Sequence, residues 1–295
     1  MISIQSFGRA KLPVLMGIGQ LLAGFGSITG QYGFAWWVKY SSWRHGLLLL
    51  ALFALGMASI SLLAAKKTAS KIEQTRINPG SWTLFYQAFM QRINWCIIAY
   101  VFFLWAGFSL FIGLWGIPYL IAKYQYTMRY AGALMIAAWL SVGVGSILIR
   151  YLSRFIDKAI LLLGFTLLGL LSTPLLIFFH LSTQALIISL CLFGLSGSGQ
   201  ALSFAVMADQ VSGKVQGAMT GLLNTAVMIA PMLFELLTGW LLQMDWKGKM
   251  RNGHPVYRIA DYHLAFSVQP VLFALALLFA FGIYRYSRGK THVKA

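Results

Sequence analysis

The chain has 295 residues, 59% of them hydrophobic and 10% charged, with a mean hydropathy of +0.75 and a formal net charge of +17. A soluble domain is about a quarter charged, so this composition excludes an ordinary water-soluble protein. Its six acids stand one at a time, which argues against clustered carboxylate chemistry. Its cations are of the kind that loops beside membrane spans carry, so no nucleic-acid partner is expected.

Eight apolar blocks approach the roughly 20 residues that cross about 30 Å of hydrocarbon as a helix. In chain order they lie near Leu12 to Val38, Gly46 to Ala65, Trp95 to Ala122, Ala131 to Ile149, Ala159 to Phe179, Gln184 to Ala208, Gln216 to Gln243 and Leu264 to Tyr284. The alternation of a membrane barrel is absent, so the expected fold is all-α and integral to the membrane. The first block follows Arg9 and Lys11 as a signal peptide would, but it is too long for an h-region of about 7 to 15 residues and reads as a retained span. Cys96 and Cys191 both fall inside spans and offer no metal set.

Eight spans place both termini on one side. That side carries 15 of the Lys and Arg residues, among them Lys66, Lys67, Arg150, Arg154 and Lys158, and the other side carries 8. The positive-inside rule then puts both termini in the cytoplasm, with the chain in the cell (inner) membrane. The longest cytoplasmic connection, 66–92, contains "KKTASKIEQTRINPGSW". Its polar run and its Asn78-Pro79-Gly80 turn mark a linker that divides the spans into two and six. The expected domains are 1–65, the linker 66–92, and 93–295.

At this point the sequence resembles the major facilitator superfamily of secondary transporters. "GIGQLLAGFGSITGQ" is similar to a fifth helix of that family's layout and "GLWGIPYL" to the outer end of the seventh. "FGLSGSGQALSFAVMADQ" resembles the tenth helix, "NTAVMIAPMLFELLTGWLLQ" the eleventh, and "NGHPVYRIADYHLAF" the loop leading into the twelfth. The resemblance implies a partial major facilitator fold, with two helices of the first bundle and a complete six-helix second bundle. The first four helices of the layout have no counterpart. Three explanations stay open: a true short product, a decayed gene, or a misplaced start. The loop "GSILIRYLSRFIDKAI" departs from the family's Gly-x-x-x-Asp-Arg spacing, which favours positive-inside anchoring over a gating role for Arg150, Arg154, Asp157 and Lys158.

Ionisable groups inside a span are expensive and are functional candidates by default. Glu235 is the one acid that clearly qualifies; among Phe234, Leu236 and Leu237 it is the candidate to carry a coupling proton. The alternatives are hydration near the outer interface or pairing with a polar neighbour. Asp209 ends the sixth span and is either an interfacial residue or a gate contact.

The resemblance implies that the third and sixth spans here line a substrate cavity. Trp115, Tyr119, Gln200 and Phe204 are therefore the candidate solute contacts, although Trp115 and Tyr119 also suit an aromatic belt. Gln20 and Asn224 are helix-packing or gating candidates, and Gln31 must find a partner as well. Gly194, Gly197, Ser198 and Ala201 share one helix face where another helix can approach closely.

His254, His263, Asp245 and Asp261 of the outer loop lack metal-ligand spacing, and no nucleotide loop is present, so no metal and no cofactor is expected. The leading expectation is transport of a small organic solute by alternating access, with coupling to protons resting on Glu235. A remnant that transports nothing alone, or that needs a separate chain to supply the missing helices, is the alternative. A lipid-modifying membrane enzyme is weaker, because the acids are scattered.

Overall fold

The computed structural model describes residues 40–69, 80–244, 246–251 and 254–292, with the single positions Gly19, Leu22, Gly26 and Trp37. Gln20, Gln31, Glu73 and Asp245 lie outside the described residues, as does nearly all of the first expected span.

The described chain is almost entirely helical. It runs α1 (Trp43–Ala69), α2 (Gly80–Met90), α3 (Arg92–Ser109), a π-helical turn (Leu110–Trp115), α4 (Gly116–Tyr124), α5 (Met128–Leu152), α6 (Lys158–Phe178), α7 (Thr183–Gly197), α8 (Gly199–Gln210) and α9 (Gln216–Met244). A minimal antiparallel hairpin follows, with β1 (Met250–Arg251) paired to β2 (His254–Pro255), and then α10 (Ile259–Phe266) and α11 (Val268–His292).

Seven stretches among the described residues are long and apolar enough to cross a membrane: Trp43–Leu63, Arg92–Tyr124, Met128–Leu152, Lys158–Phe178, Thr183–Gln210, Gln216–Met244 and Ile259–Gly289. They coincide with the last seven expected spans to within a few residues. The protein is therefore a multi-pass membrane protein.

Local chemistry explains where these helices begin and end. Thr127, Asp157 and Ser182 stand before α5, α6 and α7 and accept backbone N–H groups of the first turn, that of Ala159 reaching Asp157 at 2.7 Å. Gln125 ends α4 in the left-handed region at φ 56°, the conformation that closes many helices.

Part of the segment expected as a linker is α2. Its residues "SWTLFYQAFM" are mostly apolar, with Trp82 and Tyr86 exposed and Ala88 buried, a pattern that supports a short amphipathic helix. The turn from α2 into α3 is pinned twice. The Asn94 side-chain amide donates to the Ala88 carbonyl at 2.7 Å, and the Trp95 indole donates to that of Phe89 at 2.8 Å.

The described chain forms two compact units, one within Leu22–Thr83 and the other running from Leu84 onward. In the smaller unit, α1 buries only 6% of its span, and apolar side chains such as Leu52, Phe53 and Leu62 point outward, as hydrocarbon solvent allows.

The larger unit has a core of interlocked rings. Phe193 of α7 stacks on Phe108 of α3 at 5.3 Å and meets Phe111 at 5.7 Å and Phe273 of α11 at 5.9 Å edge-on. Polar links tie α3 to α11 and to α6. The Gln269 amide donates to the Gly107 carbonyl at 2.7 Å, and the hydroxyls of Tyr100 and Thr166 lie 3.1 Å apart.

Candidate functional site

The third span is continuous from Arg92 to Tyr124, but its register changes at the π turn. There the Gly116 N–H reaches the Phe111 carbonyl, five residues back, instead of the usual four. Such a turn inserts one residue and re-aims the side chains beyond it, and it recurs at functional sites.

Gly113 lies in the middle of this turn, and the space its side chain would fill is taken by Glu235 of α9. A Cβ built on Gly113 would stand 2.5 Å from Oε1 of Glu235. Two residues on, the Trp115 indole donates to the Glu235 backbone carbonyl at 3.2 Å. Its ring covers Gly239, whose Cβ would come within 3.2 Å of it. Phe102 and Phe234 close the same seam further down, with ring centroids 5.9 Å apart.

Pro231 sits one turn before Glu235 and removes a backbone hydrogen bond from α9 there. Glu235, half-buried, therefore faces a π turn from a helix that lacks one backbone hydrogen bond a turn earlier.

The other candidates are placed elsewhere. Gln200 is 6% exposed on α8, just after the irregular turn at Ser198 that separates α7 from α8. Next to it, Gly199 packs against Leu104 and the Tyr100 hydroxyl. That is roughly eleven residues before Trp115 along the third span, or about 16 Å at 1.5 Å per residue. Phe204, one turn beyond Gln200, is half-buried against the core.

Tyr119 is fully buried. Its hydroxyl donates to the Ile177 carbonyl and accepts from Lys123 Nζ at 2.8 Å. Its ring packs on Tyr262 and Phe266. Tyr119 thus belongs to the packing at the far end of the bundle.

Asp209 is exposed and pairs with Lys158 at 2.5 Å, tying the end of α8 to the start of α6. Asn224 lies exposed on α9, a helix with 28% of its span buried. Trp115 and Glu235 touch one another.

Two residues were not foreseen from sequence. Lys123 closes the C-terminus of α6, donating to the carbonyls of Leu176 (3.0 Å), Ile177 (2.8 Å) and Phe179 (2.8 Å). A lone cation at a span end gives no sign of which helix it will cap. Gly113 was part of a recognised pattern, but nothing in its neighbours announces a π turn.

Asp261, expected in a loop, is 2% exposed in the first turn of α10. It accepts the Arg258 backbone N–H and the Arg258 guanidinium, both at 2.7 Å. Its charge is therefore held by a capping arrangement. Among the described residues no group of three or more His, Cys, Asp or Glu stands close enough to hold a metal.

The family model of the Major Facilitator Superfamily matches residues 2–233 and 117–295. The chain belongs to the major facilitator superfamily. The two matches overlap over 117–233, which fits a family built of two repeated halves. Its members are secondary transporters of small molecules, and this chain is a membrane transporter and not an enzyme.

Among solved structures the fold is shared with a bacterial homologue of the human lysosomal transporter Spinster, in an inward-facing, unoccupied conformation. The TM-score is 0.53 at 15% identity, over 96% of this chain and 70% of that one. No curated protein matches the chain significantly.

Proposed function

We propose that the chain moves a small organic solute by alternating access and couples that movement to protons through Glu235. In this reading, residues 93–295 form one six-helix bundle, 1–65 supply two helices of another, and 66–92 cross the cytoplasmic face between them. Both termini lie in the cytoplasm of a bacterial inner membrane, in keeping with the excess of Lys and Arg on that side.

The observation that carries the proposal is the seam at Gly113, Trp115 and Glu235. A carboxyl inside a span is costly unless it has work to do. Here it rests in the gap of a π turn on the span that the family resemblance assigns to the cavity wall. Binding or losing a proton switches Glu235 between a neutral group that fits an apolar seam and an anion that needs water or a partner. Each form favours a different packing of α9 against the third span, and that preference is what coupling requires.

Trp115 contributes a flat wall and, through its bond to the Glu235 carbonyl, reports the position of α9 to the solute. Gln200 and Phe204 extend the wall toward the basic end, one by an amide and one by shape. Tyr119 acts through the packing at the far end, holding the third span against α6.

The test is uptake into proteoliposomes under an imposed inward proton gradient, across a panel of amino acids, small peptides, sugars and carboxylates. One class of solute accumulates with the wild type, and Glu235→Gln accumulates none against its gradient. Undiminished accumulation by the variant removes Glu235 from coupling.

A further inference from the structure

We propose that the groove between the start of α3 and the last turns of α11 binds the headgroup of an anionic phospholipid. The groove is a cavity of about 360 Å³ lined by Gln91, Arg92, Ile93, Cys96, Gly282 and Tyr286. Its height follows from its walls. Arg92 opens the span Arg92–Tyr124, and Gly282 and Tyr286 belong to the closing turns of the span Ile259–Gly289. The cavity therefore lies at a membrane face, at the level of headgroups and the first carbons of their chains.

The charge of the groove calls for an anion. Arg92 is exposed, and among the described residues no carboxylate pairs with it. Gln91 gives α3 no side-chain cap, and the first turn carries no acid, so the positive end of the helix dipole adds to the guanidinium. A guanidinium meets phosphate in a two-pronged geometry that water does not match.

The shape of the groove calls for a lipid. The groove is lined by the polar side chains Gln91, Arg92 and Tyr286 and by an apolar floor of Ile93, Cys96 and Gly282. Nothing stands within 4 Å of a Cβ built on Gly282, so the floor has room for an acyl carbon. A cation and polar groups sharing one groove with apolar lining match the headgroup and first carbons of a glycerophospholipid. Basic pockets between transmembrane helices bind such headgroups.

Native mass spectrometry of the full chain in detergent tests this, with phosphatidylglycerol, phosphatidylcholine and inorganic phosphate titrated separately. The wild type is expected to bind its first phosphatidylglycerol more tightly than phosphatidylcholine. Arg92→Gln weakens that first site about fivefold, the equivalent of one cation near an anionic headgroup, and leaves phosphatidylcholine binding unchanged. Gly282→Leu, which fills the floor and spares Arg92, weakens it as well. Arg154→Gln, another exposed cation, leaves the site intact.

Equal weakening by Arg154→Gln and Arg92→Gln would mean diffuse attraction and overturn the proposal. If inorganic phosphate binds with the Arg92 dependence and phosphatidylglycerol shows none, the groove takes a soluble anion and the lipid assignment fails.

Discussion

Replacing Gly194 by alanine puts one methyl group into a tight contact between α5 and α7. The new Cβ would fall on the Ala138 backbone carbonyl oxygen, closer than any real contact, with the Ala138 carbonyl carbon at 2.9 Å and Ser141 Cβ at 2.8 Å. Ordinary contact begins at 3.4 Å, so relieving the contact with the carbonyl oxygen requires the helices to part by about 1 Å in a core packed as densely as a crystal. Two of the three obstructing atoms are backbone, which cannot rotate away. Overpacking of this kind costs about 1–3 kcal/mol, and the top of that range applies here. The better helix propensity of alanine returns at most about 1 kcal/mol.

Gly164→Ala supplies the control, because nothing lies within 4 Å of its Cβ and only the propensity gain remains. Thermal unfolding in detergent, followed by tryptophan fluorescence, should rank Gly194→Ala below wild type and Gly164→Ala at or above it. Equal stability of the two variants would refute the close α5–α7 contact.

Other consequences are expected at single residues. Lys123→Met leaves the carbonyls at the end of α6 without their cation, and thermal unfolding should show a loss of about 1–2 kcal/mol, with Lys123→Arg recovering part of it. Asp209→Asn breaks an exposed ion pair with Lys158 and should cost under about 1 kcal/mol, less still at high salt. Trp115→Phe keeps an aromatic wall but loses the bond to the Glu235 carbonyl. Solute counterflow should then weaken while stability changes by about 1 kcal/mol or less.

Hydropathy alone located the seven spans that the structure describes, because a helix in hydrocarbon has to be apolar over its whole length and the chain offers few places to stop. The close packing of the sixth span was legible for a similar reason: Gly194, Gly197 and Ser198 are small residues at helical spacing. The structure lays Gly194 on α5, and the Ser198 hydroxyl donates to the Val142 carbonyl at 3.0 Å.

What sequence did not show depends on contacts made at a distance. The π turn exists in the company of Glu235 and Trp115, and Glu235 lies far along the chain from Gly113. The roles of Lys123 and Tyr119 depend on where α6 ends, and that is a fact of packing. Asp261 looked like a loop acid because the short α10 continues into α11 and has no hydrophobic period of its own long enough to be read.

The most direct measurement is the lumenal pH of proteoliposomes loaded with a pH-sensitive dye, recorded while an effective solute is added and its counterflow is followed in the same vesicles. Wild-type protein should move protons together with solute, and Glu235→Gln should keep counterflow while the pH signal vanishes. A solute-driven pH change that persists in Glu235→Gln would contradict the account.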